Sequence, residues 1–143
     1  MGKMLKKILD EFVFPIVLGG IVFAVYSGTL SGVQYLSLRN SPRITHQKQL
    51  ELLIEKEKEK LGCDKKIAGS LHNFEVGKSF KEDDYYKIEI GGKFGNNESI
   101  LGHEVYHICD GHVDFMKESN LRGFYYWLYA EPKATLYQIG VIK

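Results

Sequence analysis

A chain of 143 residues, 44% hydrophobic and 26% charged, has room for one compact domain and is too apolar for wholesale disorder. Its 19 basic and 18 acidic side chains nearly cancel, and a net charge of +1 gives no ground for a nucleic-acid partner. The two cysteines, Cys63 and Cys109, allow one disulfide but are expected to be small buried hydrophobes.

No charged residue occurs between Glu11 and Arg39. That run exceeds the roughly 20 residues a helix needs to cross the hydrocarbon core of a bilayer. We therefore expect one transmembrane helix over residues 12–36, inside an N-terminal anchor of residues 1–40 and ahead of a soluble domain of residues 41–143. A cleaved signal peptide competes with this reading, because Lys3, Lys6 and Lys7 make a basic leader. Against it, the uncharged run is too long for an ordinary signal core, and no A-x-A cleavage site follows. Arg39, Arg43, Lys48, Lys56 and Lys58 outnumber the lysines ahead of the span, so the positive-inside rule leans toward a single-pass protein with a cytoplasmic soluble domain.

Past the span, Ser41-Pro42-Arg43 breaks the helical pattern and Thr45 is the expected N-cap of a second helix. Leu50, Leu53, Ile54 and Leu61 recur at helical spacing, the alternating charges of residues 55–60 form the solvated face, and Gly62 closes the helix. Residues 65–80, punctuated by Gly69 and Gly77, suit two short strands. After a polar turn, Tyr86, Ile88 and Ile90 alternate with Tyr85, Lys87 and Glu89, which marks the clearest strand in the chain. Its polar face and the Gly91-Gly92 that ends it suggest an edge strand, of the kind that can pair with an extended peptide.

Asn96 or Asn97 can cap the next helix, whose Ile100, Leu101, Val105 and Ile108 would pack on the sheet before Asp110-Gly111 ends it. This helix carries H-E-x-x-H. Residues four apart on a helix share a face, so His103 and His107 can aim both imidazoles at one metal ion. Glu104 projects about 100° around the helix from His103, within reach of a metal-bound water without being a ligand, and is the candidate general base. A short polar connection is expected over residues 113–120. The aromatic-rich stretch of residues 121–140 then supplies core beneath the metal helix.

A catalytic zinc usually keeps three protein ligands and an open position, so a third ligand is needed. The pattern H-E-x-x-H-x-x-G-x-x-H requires Gly at 110 and His at 113, where this chain has Asp110 and Val113. Cys109, two residues past His107, faces away from the imidazoles. Glu131 is the remaining candidate, on a later helix and followed by the small Ala134. Pro132 disfavours helical geometry at the residue before it, which places Glu131 at a helix start.

H-E-x-x-H with a downstream E-x-x-A resembles the gluzincin metallopeptidases, and the small soluble part is most similar to their minimal members, the minigluzincins. The resemblance implies an α+β, zincin-like fold after one transmembrane helix: a helix, a short mixed sheet with an edge strand, the H-E-x-x-H helix and a C-terminal helix carrying a glutamate. It also implies one catalytic Zn2+ held by His103, His107 and Glu131, water activation by Glu104, and a peptide or protein substrate aligned by the strand of residues 86–90. The oxyanion donor would come from His112, Arg122, Tyr125, Tyr126 or Tyr129. A zinc-bound module that holds a partner near the membrane without cleaving it is the alternative. A third reading is a closed structural site with His112 as the extra ligand.

Overall fold

The computed structural model describes residues 14–118 and 122–142. The lysines at 3, 6 and 7, the first two residues of the expected span, and residues 119–121 lie outside the described residues. The chain divides into two compact units, Met1–Val33 and Gln34–Lys143.

Helix α1, Phe14–Asn40, starts in the first unit and ends in the second. Its stretch Leu18–Asn40 is long and apolar enough to cross a membrane by length and composition. Leu18, Ile21, Val22, Phe23 and Val25 are all exposed, which separates it from an amphipathic helix that hides one apolar stripe.

The second unit is α+β. Helix α2, Gln47–Leu61, buries Leu50 and Ile54, one turn apart on the same face. Gly62 closes it in the left-handed conformation at φ 59°. The N-cap falls one residue later than expected, on His46, which makes no side-chain cap bond; just ahead of it the Thr45 N–H donates to Gln49 Oε1. Strands β1 (Ile67–His72), β2 (Val76–Glu82) and β3 (Tyr85–Gly91) form a mixed sheet in the order β1-β3-β2, with β1 parallel and β2 antiparallel to β3. One face packs under α2 and the long metal helix α4. Ile88 and Ile90 meet Leu50 and Ile54 from α2 and Leu101, Val105 and Ile108 from α4 in a single core. Gly69 on β1 lets α2 sit down on the sheet: a Cβ there would come within 2.6 Å of Ile54 and 2.8 Å of Leu50.

A single turn, α3 (Gly92–Gly95), leads into α4, Glu98–Cys109. The cap of α4 is Asn97, whose Oδ1 accepts the Ile100 N–H at 2.9 Å. Helices α5 (His112–Glu118) and α6 (Arg122–Tyr125) follow, then one π-helical turn, Tyr126–Ala130, running directly into α7, Glu131–Gln138.

Four further expectations are corrected. The strand of residues 86–90 is the centre of the sheet, since β3 is paired on both sides; the edge beside α4 is β2. A polar face and a free edge are different things, and the polar face of β3 is covered by ion pairs from Glu89 to Lys78 and Lys87. The expected connection at residues 113–120 is largely helix, held by Asp114, which takes Lys65, Lys81 and the Tyr86 hydroxyl. The aromatic stretch is not mostly core, because Trp127 and Tyr129 are half exposed. Finally, Cys63 and Cys109 are joined in a disulfide between the end of α2 and the last residue of α4.

Candidate metal centre

Helix α4 lies between α2, α7 and the sheet, and residues 101–108 are buried without a break. This burial sets the geometry of the H-E-x-x-H motif. The His103 and His107 Nε2 atoms stand 3.0 Å apart. Glu131, at the first position of α7, reaches over them, with Oε2 3.4 Å from His103 Nε2 and Oε1 3.4 Å from His107 Nε2. The three residues are buried, and together they form a group that could hold a metal ion.

The donor set fits such an ion. Ligand atoms bonded at about 2.0–2.1 Å to one tetrahedral centre stand roughly 3.3 Å apart; the two Nε2 atoms are 3.0 Å apart, each has a different Glu131 oxygen at 3.4 Å, and one ligand atom from each residue lies within 4.8 Å of the others. The outer partners orient the lone pairs the same way. His103 Nδ1 lies 3.1 Å from Gln138 Oε1, an acceptor; a proton on Nδ1 leaves the Nε2 lone pair free to serve as a ligand. His107 Nδ1 lies 2.9 Å from His112 Nδ1, and the same assignment makes His107 the donor. His112 Nε2 is 2.7 Å from Asp110 Oδ2, in ion-pair range but off the line of its N–H. Burial, reinforced by the neighbouring His107, pushes His112 down to about 4, so it is a neutral acceptor for His107 at pH 7. It stands behind His107 as an outer partner and does not join the ligand group.

Burial by itself would raise the Glu131 carboxyl, but its bonds with His103 and His107 outweigh that and hold it well below the usual carboxylate range. The centre therefore offers one negative ligand and two imidazoles. Pro132 puts Glu131 at the head of α7 as expected, yet the Glu131 backbone is helical, at φ −63° and ψ −47°. The reason is the π turn ahead of it. The Glu131 N–H reaches back five residues to the Tyr126 carbonyl, so the chain enters Pro132 already coiled.

Glu104 is buried and lines a cleft of about 480 Å³ with His107, His112, Tyr126 and residues 77–81 of β2. It is not one of the three converging ligands. Gly77 is the site residue that sequence reasoning passed over as a turn signal. A side chain there would meet Ile100 at 2.9 Å and approach Glu104 Oε1 at 3.9 Å, so glycine lets the edge strand run past the motif glutamate.

Of the expected oxyanion donors, Tyr126 lines this cleft, stacks on His107 at 5.8 Å between ring centres, and hydrogen-bonds Glu131. Burial and then the Glu131 charge push its phenol far above the ordinary value, which keeps it a donor. Tyr125 and Tyr129 instead pack their ring edges around His112, and the Arg122 side chain lies outside the described residues. Cys109 is tied up in its disulfide, His46 is exposed, and His72 packs at a tilt against Phe74, outside the converging group. No protein-family model, curated protein or solved structure matches the chain.

Proposed function

We propose that this chain is a membrane-anchored zinc metallopeptidase of the gluzincin type, with a zincin-like second unit that hydrolyses peptide bonds. The observation that carries the reading is the convergence of the His103 and His107 Nε2 atoms and the Glu131 carboxylate, with Glu104 beside them in a cleft. His103, His107 and Glu131 would hold the ion. When bound, zinc acidifies water and polarises a carbonyl.

The rest of the work belongs to the chain. Glu104 takes a proton from the attacking water and delivers it to the leaving amine, and the Tyr126 hydroxyl turns its one proton from Glu131 to the developing oxyanion. The free side of β2 offers backbone groups to an extended substrate, and Gly77 leaves that substrate room beside Glu104. His112 and Gln138 keep both imidazoles in the ligating tautomer. The disulfide favours an oxidising compartment for the second unit, which reverses the cytoplasmic leaning of the charge count.

The test is a metal analysis and a peptide-library cleavage assay on the full chain and on Glu104→Gln. Both proteins should carry one zinc, and the variant should cleave about 10²–10⁴-fold more slowly. Equal cleavage by the two, or no metal in either, would end the peptidase reading.

A further inference from the structure

Two of the three converging ligands are backed by the last turns of α1. The Gln34 Nε2 donates to Glu131 Oε2 at 3.4 Å, the same oxygen that faces His103, and to Thr135 Oγ1 at 3.1 Å. One turn on, Ser37 Oγ lies 2.5 Å from Ser99 Oγ. Ser99 Oγ accepts from Gln138 Nε2 at 2.8 Å, and Gln138 Oε1 in turn receives His103 Nδ1. The backbone N–H of Ser99 is bound by Ser41 Oγ at 2.9 Å. The outer partners of Glu131 and His103 thus trace to residues 34–41, which belong to the second unit together with the site.

We propose that these last turns of α1 are part of the metal centre, with Gln34 and Ser37 as positioning residues that hold Glu131 and, through Ser99 and Gln138, His103. The proposal rests on the metal-site reading above. One hydrogen bond from Gln34 fixes the Glu131 oxygen that faces His103, and a relay of three links the Ser37 hydroxyl to the His103 ring. Outer partners of this kind orient ligand side chains and tune the affinity of the centre.

The experiment uses the full chain in detergent. Zinc affinity, by competition with a chromophoric chelator, and the visible spectrum of the cobalt-loaded protein are measured for the wild type, Gln34→Leu and Ser37→Ala. Each substitution should weaken zinc about 10-fold or more and shift the cobalt bands, while circular dichroism stays that of the wild type. If Gln34→Leu does not fold, Ser37→Ala, a smaller change at the other ligand, decides. Zinc affinity and cobalt bands unchanged in every folded variant would overturn the proposal, whereas a wild type that binds no zinc sinks the metal-site reading beneath it.

Discussion

Glu131 faces both imidazoles from the head of α7. Its position depends on a π turn that no local pattern announces, and its charge depends on two imidazoles 24 and 28 positions away in the chain. Glu131→Gln keeps the shape but replaces a negative ligand by a weaker neutral donor. Zinc affinity should fall about 10-fold or more, read by competition with a chromophoric chelator, with the fold intact because Ala130, Ala134 and Thr135 still pack. Affinity equal to the wild type would remove Glu131 from the ligand set. His112 differs in kind: it is 1% exposed and touches a ligand rather than the ion's position, so its contribution is orientation of His107.

Among the elements, the sheet and α5 are joined by one acidic residue. Burial by itself would raise Asp114, but bonds from Lys81, Tyr86 and Lys65 outweigh it and hold the carboxyl well below 3.8. A group with a depressed folded pKa stabilises the fold above its unfolded value and loses that contribution as pH falls through the folded one. Stability should therefore decline as pH drops below about 4. Asp114→Asn should lower stability at pH 7 and flatten that acid decline, measured by urea unfolding at pH 7 and at pH 3. An unchanged pH slope would show that the cluster around Asp114 contributes little. The same region explains why β2 flanks the cleft: α5 and α4 both pack on it, and Gly77 clears its path.

For the whole molecule, the Cys63–Cys109 disulfide closes a loop across 46 positions and ties α2 to the end of the metal helix. Chain-entropy reasoning puts its contribution at about 4 kcal/mol. The pair Cys63→Ser and Cys109→Ser should lower Tm well beyond scatter in a thermal scan of the full chain in detergent. In intact membranes both native thiols should resist maleimide until a reductant is added. Immediate labelling would mean reduced cysteines and would restore the cytoplasmic orientation.

Patterns confined to a few turns of chain were legible without coordinates. The uncharged run before Arg39, a cap at Asn96 or Asn97, the alternation at Tyr86, Ile88 and Ile90, and the pairing of His103 with His107 all follow from local composition and from steric and hydrophobic periodicities that neighbouring residues impose on each other. What required the tertiary structure was everything set by contacts between distant segments. Strand order is decided by which edges find partners, so β3 could be read as a strand but not as the central one. The disulfide depends on two ends of separate helices meeting, and the outer partners of the candidate metal ligands, Gln34, Ser37, Gln138 and His112, are recruited across the fold by hydrogen bonds that leave no periodic trace in the sequence.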